Sequence, residues 1–178
     1  MLKKAFISIV FLFSFSFYGQ NATSNSLMSI KNNFSEISIK AYQESAILKI
    51  EDYYNYLALF SNSSTSDALK TEIKTALFSL FKNKHIQIMD FTQEENPQIE
   101  LPDLLDKIKN KNYSFSILKT SNTFVSNNYW VTSYDLQFRE NENNHTLKCT
   151  QKVYFIPTTK QFGTTEKDVW TIKLGEIE

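Results

Sequence analysis

Between Ile39 and Phe60 the apolar side chains recur with a helical period, and from Tyr113 onward they recur every second residue. Ile39, Tyr42, Ala46, Ile50, Tyr53, Leu57 and Phe60 stand 3, 4, 4, 3, 4 and 3 residues apart, which places them on one stripe of an α-helix. Ile47, Tyr54 and Ala58 widen the stripe, while Lys40, Glu44, Glu51, Asp52 and Asn55 fall off it. The spacing predicts a single amphipathic helix of about 25 residues starting near Ser35. The run Tyr53-Tyr54-Asn55-Tyr56 covers more than one helix face, so Tyr56 is expected outside the stripe.

The second half reads differently. Tyr113, Phe115 and Ile117 alternate with serines. Trp130, Thr132, Tyr134, Leu136 and Phe138 alternate with Val131, Ser133, Asp135, Gln137 and Arg139. Leu147 to Phe155 and Trp170 to Leu174 continue the pattern. These are strands with one buried face, joined by Asn-rich turns at 126–128 and 141–144, and they predict an antiparallel meander. The link from Pro157 to Asp168 holds Gly163 and is expected as a wide hairpin loop or a mobile flap.

Between the two halves, the segment from Ser61 to Ser66 reads as a turn and helix cap. A second helix follows, with Leu69, Ile73, Ala76, Leu77 and Leu80 on one face and a stop at Lys82-Asn83-Lys84. So short a connection predicts an antiparallel helical hairpin. His85 to Phe91 reads as a strand. A short helix after Pro102 turns Leu101, Leu104, Leu105 and Ile108 inward, with acids at its start and lysines at its end.

Residues 1–20 carry Lys3-Lys4, an apolar run from Ala5 to Tyr18, and then Gly19-Gln20. This is the order of a secretory signal peptide, and the run is shorter than the roughly 20 residues that span a bilayer. The expected organisation is a signal at 1–20, a loose leader at 21–33 and one domain at 34–178. The product is expected to be exported to the periplasm or the exterior, with no membrane span once the signal is removed. The signal takes two of the 19 basic residues and none of the 19 acidic ones. No basic stripe is left for a nucleic acid or an anionic membrane. Cys149 is the only cysteine, which rules out an intrachain disulfide and is expected as a small buried hydrophobe.

Helix, helix, strand, short helix and four long antiparallel strands is an order that resembles the NTF2-like (cystatin-like) α+β roll. The resemblance spans residues 34–176. It implies a strongly curved sheet wrapped around the first long helix, with a cone-shaped pocket between them. It also implies that Trp130, Tyr134 and Trp170 approach that helix near Tyr53 and Tyr54, making these five residues the candidate pocket lining. A plain two-layer sandwich with a filled core and a cystatin-type helix grip are the competing architectures. Either way, one layer of helices on one antiparallel sheet covers both apolar surfaces.

Enzymes of this superfamily use an Asp base or an Asp–His pair in the pocket. Here His85 and Asp90 are five residues apart on one strand and point to opposite faces, His145 falls in a turn, and Asp135 is expected to point outward. Metal-ligand spacings, a glycine-rich phosphate loop and a Gly-x-Ser-x-Gly elbow are all missing from the sequence. No cofactor or metal is expected. The reading is a non-enzymatic exported domain that binds a small apolar ligand or an envelope protein, with homodimerisation through the sheet. The rivals are a pocket enzyme of the ketosteroid isomerase or dehydratase kind and an accessory subunit of an envelope assembly.

Overall fold

A computed structural model describes residues 29–123, 125–140 and 142–178. The expected signal peptide and residues 21–28 of the expected leader lie outside the described residues. The fold is α+β, with helices first and then an antiparallel sheet. In chain order the elements are α1 (Ile30–Asn33), α2 (Glu36–Ser61), α3 (Asp67–Leu80), β1 (Gln87–Met89), β2 (Gln98–Glu100), α4 (Leu101–Ile108), β3 (Tyr113–Asn122), β4 (Tyr129–Glu140), β5 (Asn143–Phe162) and β6 (Thr165–Ile177).

The long helix forms as its stripe predicts. Ser35 caps α2 by accepting from the Ser38 N–H at 3.2 Å, and Ile39, Ala46, Ile50, Tyr53, Tyr54, Leu57 and Phe60 are buried along it. Its last residue ties it to the sheet. Ser61 accepts from the Tyr113 N–H through its hydroxyl at 3.1 Å and from the Asn112 N–H through its carbonyl at 3.0 Å. Both join segments far apart in the chain and fix where β3 starts. Ser66 caps α3, and the two helices pack together as a hairpin.

On α3 the buried face is Lys70, Ile73, Leu77 and Leu80. Leu69, expected inward, is 50 % exposed. Lys70 takes the place instead, laying its methylene stem on the core while its ammonium donates to the Asn110 side-chain oxygen. The helix stops at Leu80, earlier than the lysines suggested. Phe81 leaves it to bridge Leu174 in parallel, and the Lys82 N–H donates to the Leu174 carbonyl at 2.9 Å.

The main sheet runs β3-β4-β5-β6, each strand antiparallel to its sequence neighbour. Trp130, Thr132, Tyr134, Leu136 and Phe138 are buried on β4, and the residues between them are half-exposed or exposed. The outward face carries mostly Ser, Thr, Lys and Gln, with Asp135 bridged to Lys119 at 3.1 Å. Two bulges interrupt the ladders, between Leu118 and Ser121 and between Gln151 and Val153. Bulges bend the strand that carries them. Gly175 sits beside the second, where a Cβ would come within 2.6 Å of the Tyr154 ring. Only glycine allows so close an approach of β6 to β5.

Three further expectations need correction. Ile30–Asn33, inside the expected leader, forms a one-turn helix whose Ile30 is fully buried, and the Ile30 N–H donates to the Asn127 carbonyl at 2.7 Å. The segment His85–Phe91 yields only a three-residue strand, paired with a short β2 through Ile88 and Ile99. The Pro157–Asp168 link is neither a wide loop nor a flap. Strands β5 and β6 pair all the way from Pro157↔Trp170 to Phe162↔Thr165, closed by a two-residue turn with Gly163 at φ 63°. The hairpin is long because it runs past the last β4–β5 pair, Tyr129↔Tyr154. From Thr159 to Asp168 the arm is exposed on both faces, so this stretch carries no alternation of buried and exposed residues to betray it.

Candidate functional site

The five candidate pocket residues divide into two groups. Tyr53, Tyr54, Trp130 and Tyr134 are buried inside the helix–sheet layer. Tyr54 on α2 and Tyr134 on β4 share a hydroxyl–hydroxyl bond of 2.9 Å, their rings 6.0 Å apart and edge to face. The Tyr134 hydroxyl also donates to the Gln151 side-chain oxygen at 3.3 Å. Tyr53 packs on Tyr54 at 4.7 Å and on Phe81 at 5.1 Å. Burial drives the Tyr53, Tyr54 and Tyr134 phenols well above their ordinary range. Burial likewise pushes the neighbouring Cys149 thiol up to about 12. These groups are therefore neutral at physiological pH, and Tyr54, Tyr134 and Gln151 answer one another's hydrogen-bonding needs. Trp130 is fully buried, and its indole N–H is the buried side-chain polar atom without a partner among the described residues.

Trp170 belongs elsewhere. It stands at the base of the β5–β6 arm, edge-on to Phe34 at 5.2 Å and tilted on Phe155 at 5.2 Å. Tyr42 completes the cluster, 4.4 Å from Phe155 and 5.3 Å from Phe34. Phe155 is buried, whereas Phe34, Tyr42 and Trp170 are each half-buried. Over them lies a groove of about 580 Å3, lined by Tyr42, Phe155, Trp170 and Ile172 together with Lys49, Lys160 and Lys173. Volumes of this order are typical of small-molecule sites.

Sequence reasoning placed Tyr42 and Phe155 in the core and did not single out Phe34 or the three lysines. Phe34 lay next to the supposed leader. The lysines come from α2, β5 and β6, which meet only because the arm folds back as a paired hairpin.

The candidate acid–base residues are separated as well. The His85 Nδ1 bonds to the Glu100 carboxylate at 2.8 Å on the surface. His145 lies within β5, exposed, with its ring stacked on Phe138 at 4.9 Å. Asp90 is fully buried. It accepts from the Lys107 ammonium at 2.6 Å, the Thr92 hydroxyl at 2.6 Å, the Thr92 N–H at 3.0 Å and the Gln93 amide at 2.7 Å. Burial alone would raise its carboxyl, but the bonds from Lys107, Thr92 and Gln93 outweigh it and hold the group below the usual carboxylate range. All its lone pairs face donors, so its work is to hold the 90–97 loop.

Phe91, the next residue, packs on Tyr113, Phe115 and Phe138 at 5.2–5.3 Å. Smaller grooves flank this end, of about 340 Å3 beside Phe115, Phe138 and His145 and of about 220 Å3 beside Phe91, Glu94 and Glu140. Among the described residues no group of three His, Cys, Asp or Glu side chains converges to hold a metal, and no helix is long and apolar enough to cross a membrane. Comparison of the chain with protein-family models and with curated proteins finds no match to either.

Proposed function

We propose that this chain is an exported, non-enzymatic domain of the NTF2-like kind that binds a small apolar ligand, and that it does so in the groove at the base of the β5–β6 arm. The observation that carries the reading is the partly open ring cluster of Phe34, Tyr42, Phe155 and Trp170 under a groove of about 580 Å3. The half-buried faces of Tyr42 and Trp170, with Phe155 between them and Phe34 packed behind, offer a flat or apolar molecule a surface that water solvates poorly. An isomerase or dehydratase reading asks for a poised base in the interior. The titratable groups between Tyr54 and Tyr134 are instead phenols and a thiol kept protonated by burial.

The test is titration of the intact mature protein with a neutral fluorescent probe such as N-phenyl-1-naphthylamine. The reading expects saturable enhancement that the Trp170→Ser variant loses while keeping its far-UV circular dichroism. Absence of saturable binding, or equal binding by Trp170→Ser, contradicts it.

A further inference from the structure

We propose that the ligand of this groove is an amphiphile with an anionic head, a free fatty-acid-like molecule whose carboxylate is held by Lys49, Lys160 and Lys173 and whose tail lies on Tyr42, Phe155 and Trp170. The inference rests on the groove being the binding site.

The charge pattern carries it. The chain as a whole balances 19 basic against 19 acidic residues, yet the groove is lined by three lysines and no acid. The lysines come from three elements, with Lys49 in the middle of α2, Lys160 on the arm and Lys173 on β6. The Lys173 ammonium is oriented by the Ser79 carbonyl at the end of α3, to which it donates at 2.6 Å. That bond neutralises no charge. Neither Lys49 nor Lys160 is in an ion pair among the described residues.

Lys49 senses the other two amines. Burial lowers the Lys49 ammonium most, and repulsion from Lys173 and Lys160 lowers it further, with Asp52 as the acid that acts the other way. Converging like charges at the edge of a low-dielectric surface destabilise the free protein, and a bound anion relieves that repulsion. Lys160 also stands directly across from Lys167 in the hairpin, a cross-strand pairing of like charges that costs stability and adds to the positive field.

Hydroxyls complete the rim. Ser45, Ser79, Thr158 and Thr171 line the same groove, and the two threonines bond to each other at 2.7 Å. The Ser45 and Ser79 hydroxyls already donate to the Ala41 and Ala76 carbonyls, so it is the ammonium groups, with aromatic faces below, that are the complement of an anionic head on an apolar body.

The experiment compares dodecanoate with dodecan-1-ol on the intact mature protein by calorimetry, below the micellar range of the carboxylate and the solubility limit of the alcohol. The expected result is binding of both, with the carboxylate preferred by about tenfold or more, as one or two charge-assisted contacts would give. Added salt shrinks the preference. The double variant Lys49→Gln/Lys160→Gln brings the two ligands to similar affinity without weakening the alcohol. Equal affinity of the unaltered protein for both ligands overturns the anionic head and leaves the groove reading intact, and the lysines then serve only to guard a sheet edge. Binding of neither ligand sinks the groove reading itself. Binding to phosphatidylglycerol vesicles without binding of monomeric dodecanoate assigns the lysines to a membrane surface and overturns the proposal.

Discussion

Two clusters of four rings occupy the helix–sheet layer. Phe91, Tyr113, Phe115 and Phe138 form one, and Phe34, Tyr42, Phe155 and Trp170 form the other. Their compositions are similar, and their fates differ. The first is covered by the 90–97 loop, which a buried Asp90 pins to Lys107 on α4, and three of its four rings are buried. The second has no such cover. The β5–β6 arm runs past β4, three of its four rings stay half-buried, and three lysines surround it without an ion pair for Lys49 or Lys160. Aromatic content alone therefore does not separate core from site. What separates them is whether a polar anchor closes the cluster, as Asp90 does for the first, or three lysines rim it, as they do the second.

The contrast can be broken most severely by truncation. Phe91→Ala removes the ring on which three others converge and is expected to cost about 3–4 kcal/mol, whereas Trp170→Ala, already half in water, is expected to cost about 1–2 kcal/mol. Urea denaturation of both variants measures the difference, and equal losses would mean that the two clusters are equally closed.

Asp90→Asn sharpens the same point with a smaller effect. Removing the charge leaves Lys107, Thr92 and Gln93 facing a weaker acceptor, at an expected cost of about 2–3 kcal/mol near neutral pH. The sign of the pH dependence follows from the lowered carboxyl. Its folded value lies below the unfolded one, so its stabilisation is fully present above the unfolded value of about 4 and is lost as pH falls through the folded one. The gap between wild type and Asp90→Asn is therefore expected to be widest at neutral pH and to close in acid, as thermal melts across that range would record.

Much of the fold was legible because it obeys simple periods. The stripe from Ile39 to Phe60 is α2, the leucines after Pro102 are the buried face of α4, and the alternation after Tyr113 is the meander. Tyr54 and Tyr134 do meet across helix and sheet. The rest was hidden for local reasons. The β1–β2 ribbon is three residues per strand, too short to show a period. Lys70 displaces Leu69 from the core because a long stem can be apolar and charged at once. The arm from Thr159 to Asp168 has water on both faces, so a paired hairpin reads like a loop.

The candidate site was hidden by the same arm. Lys49, Lys160 and Lys173 stand 13 to 124 residues apart along the chain, and no motif joins them before the hairpin folds back.

The two tryptophans report the two kinds of surroundings directly. With Trp130→Phe leaving only Trp170, and Trp170→Phe leaving only Trp130, acrylamide quenching reads the access of a small molecule to each ring. The account predicts that Trp170 is readily quenched and that Trp130, fully buried on β4, is nearly untouched. Equal shielding of both would contradict an open groove at the base of the arm.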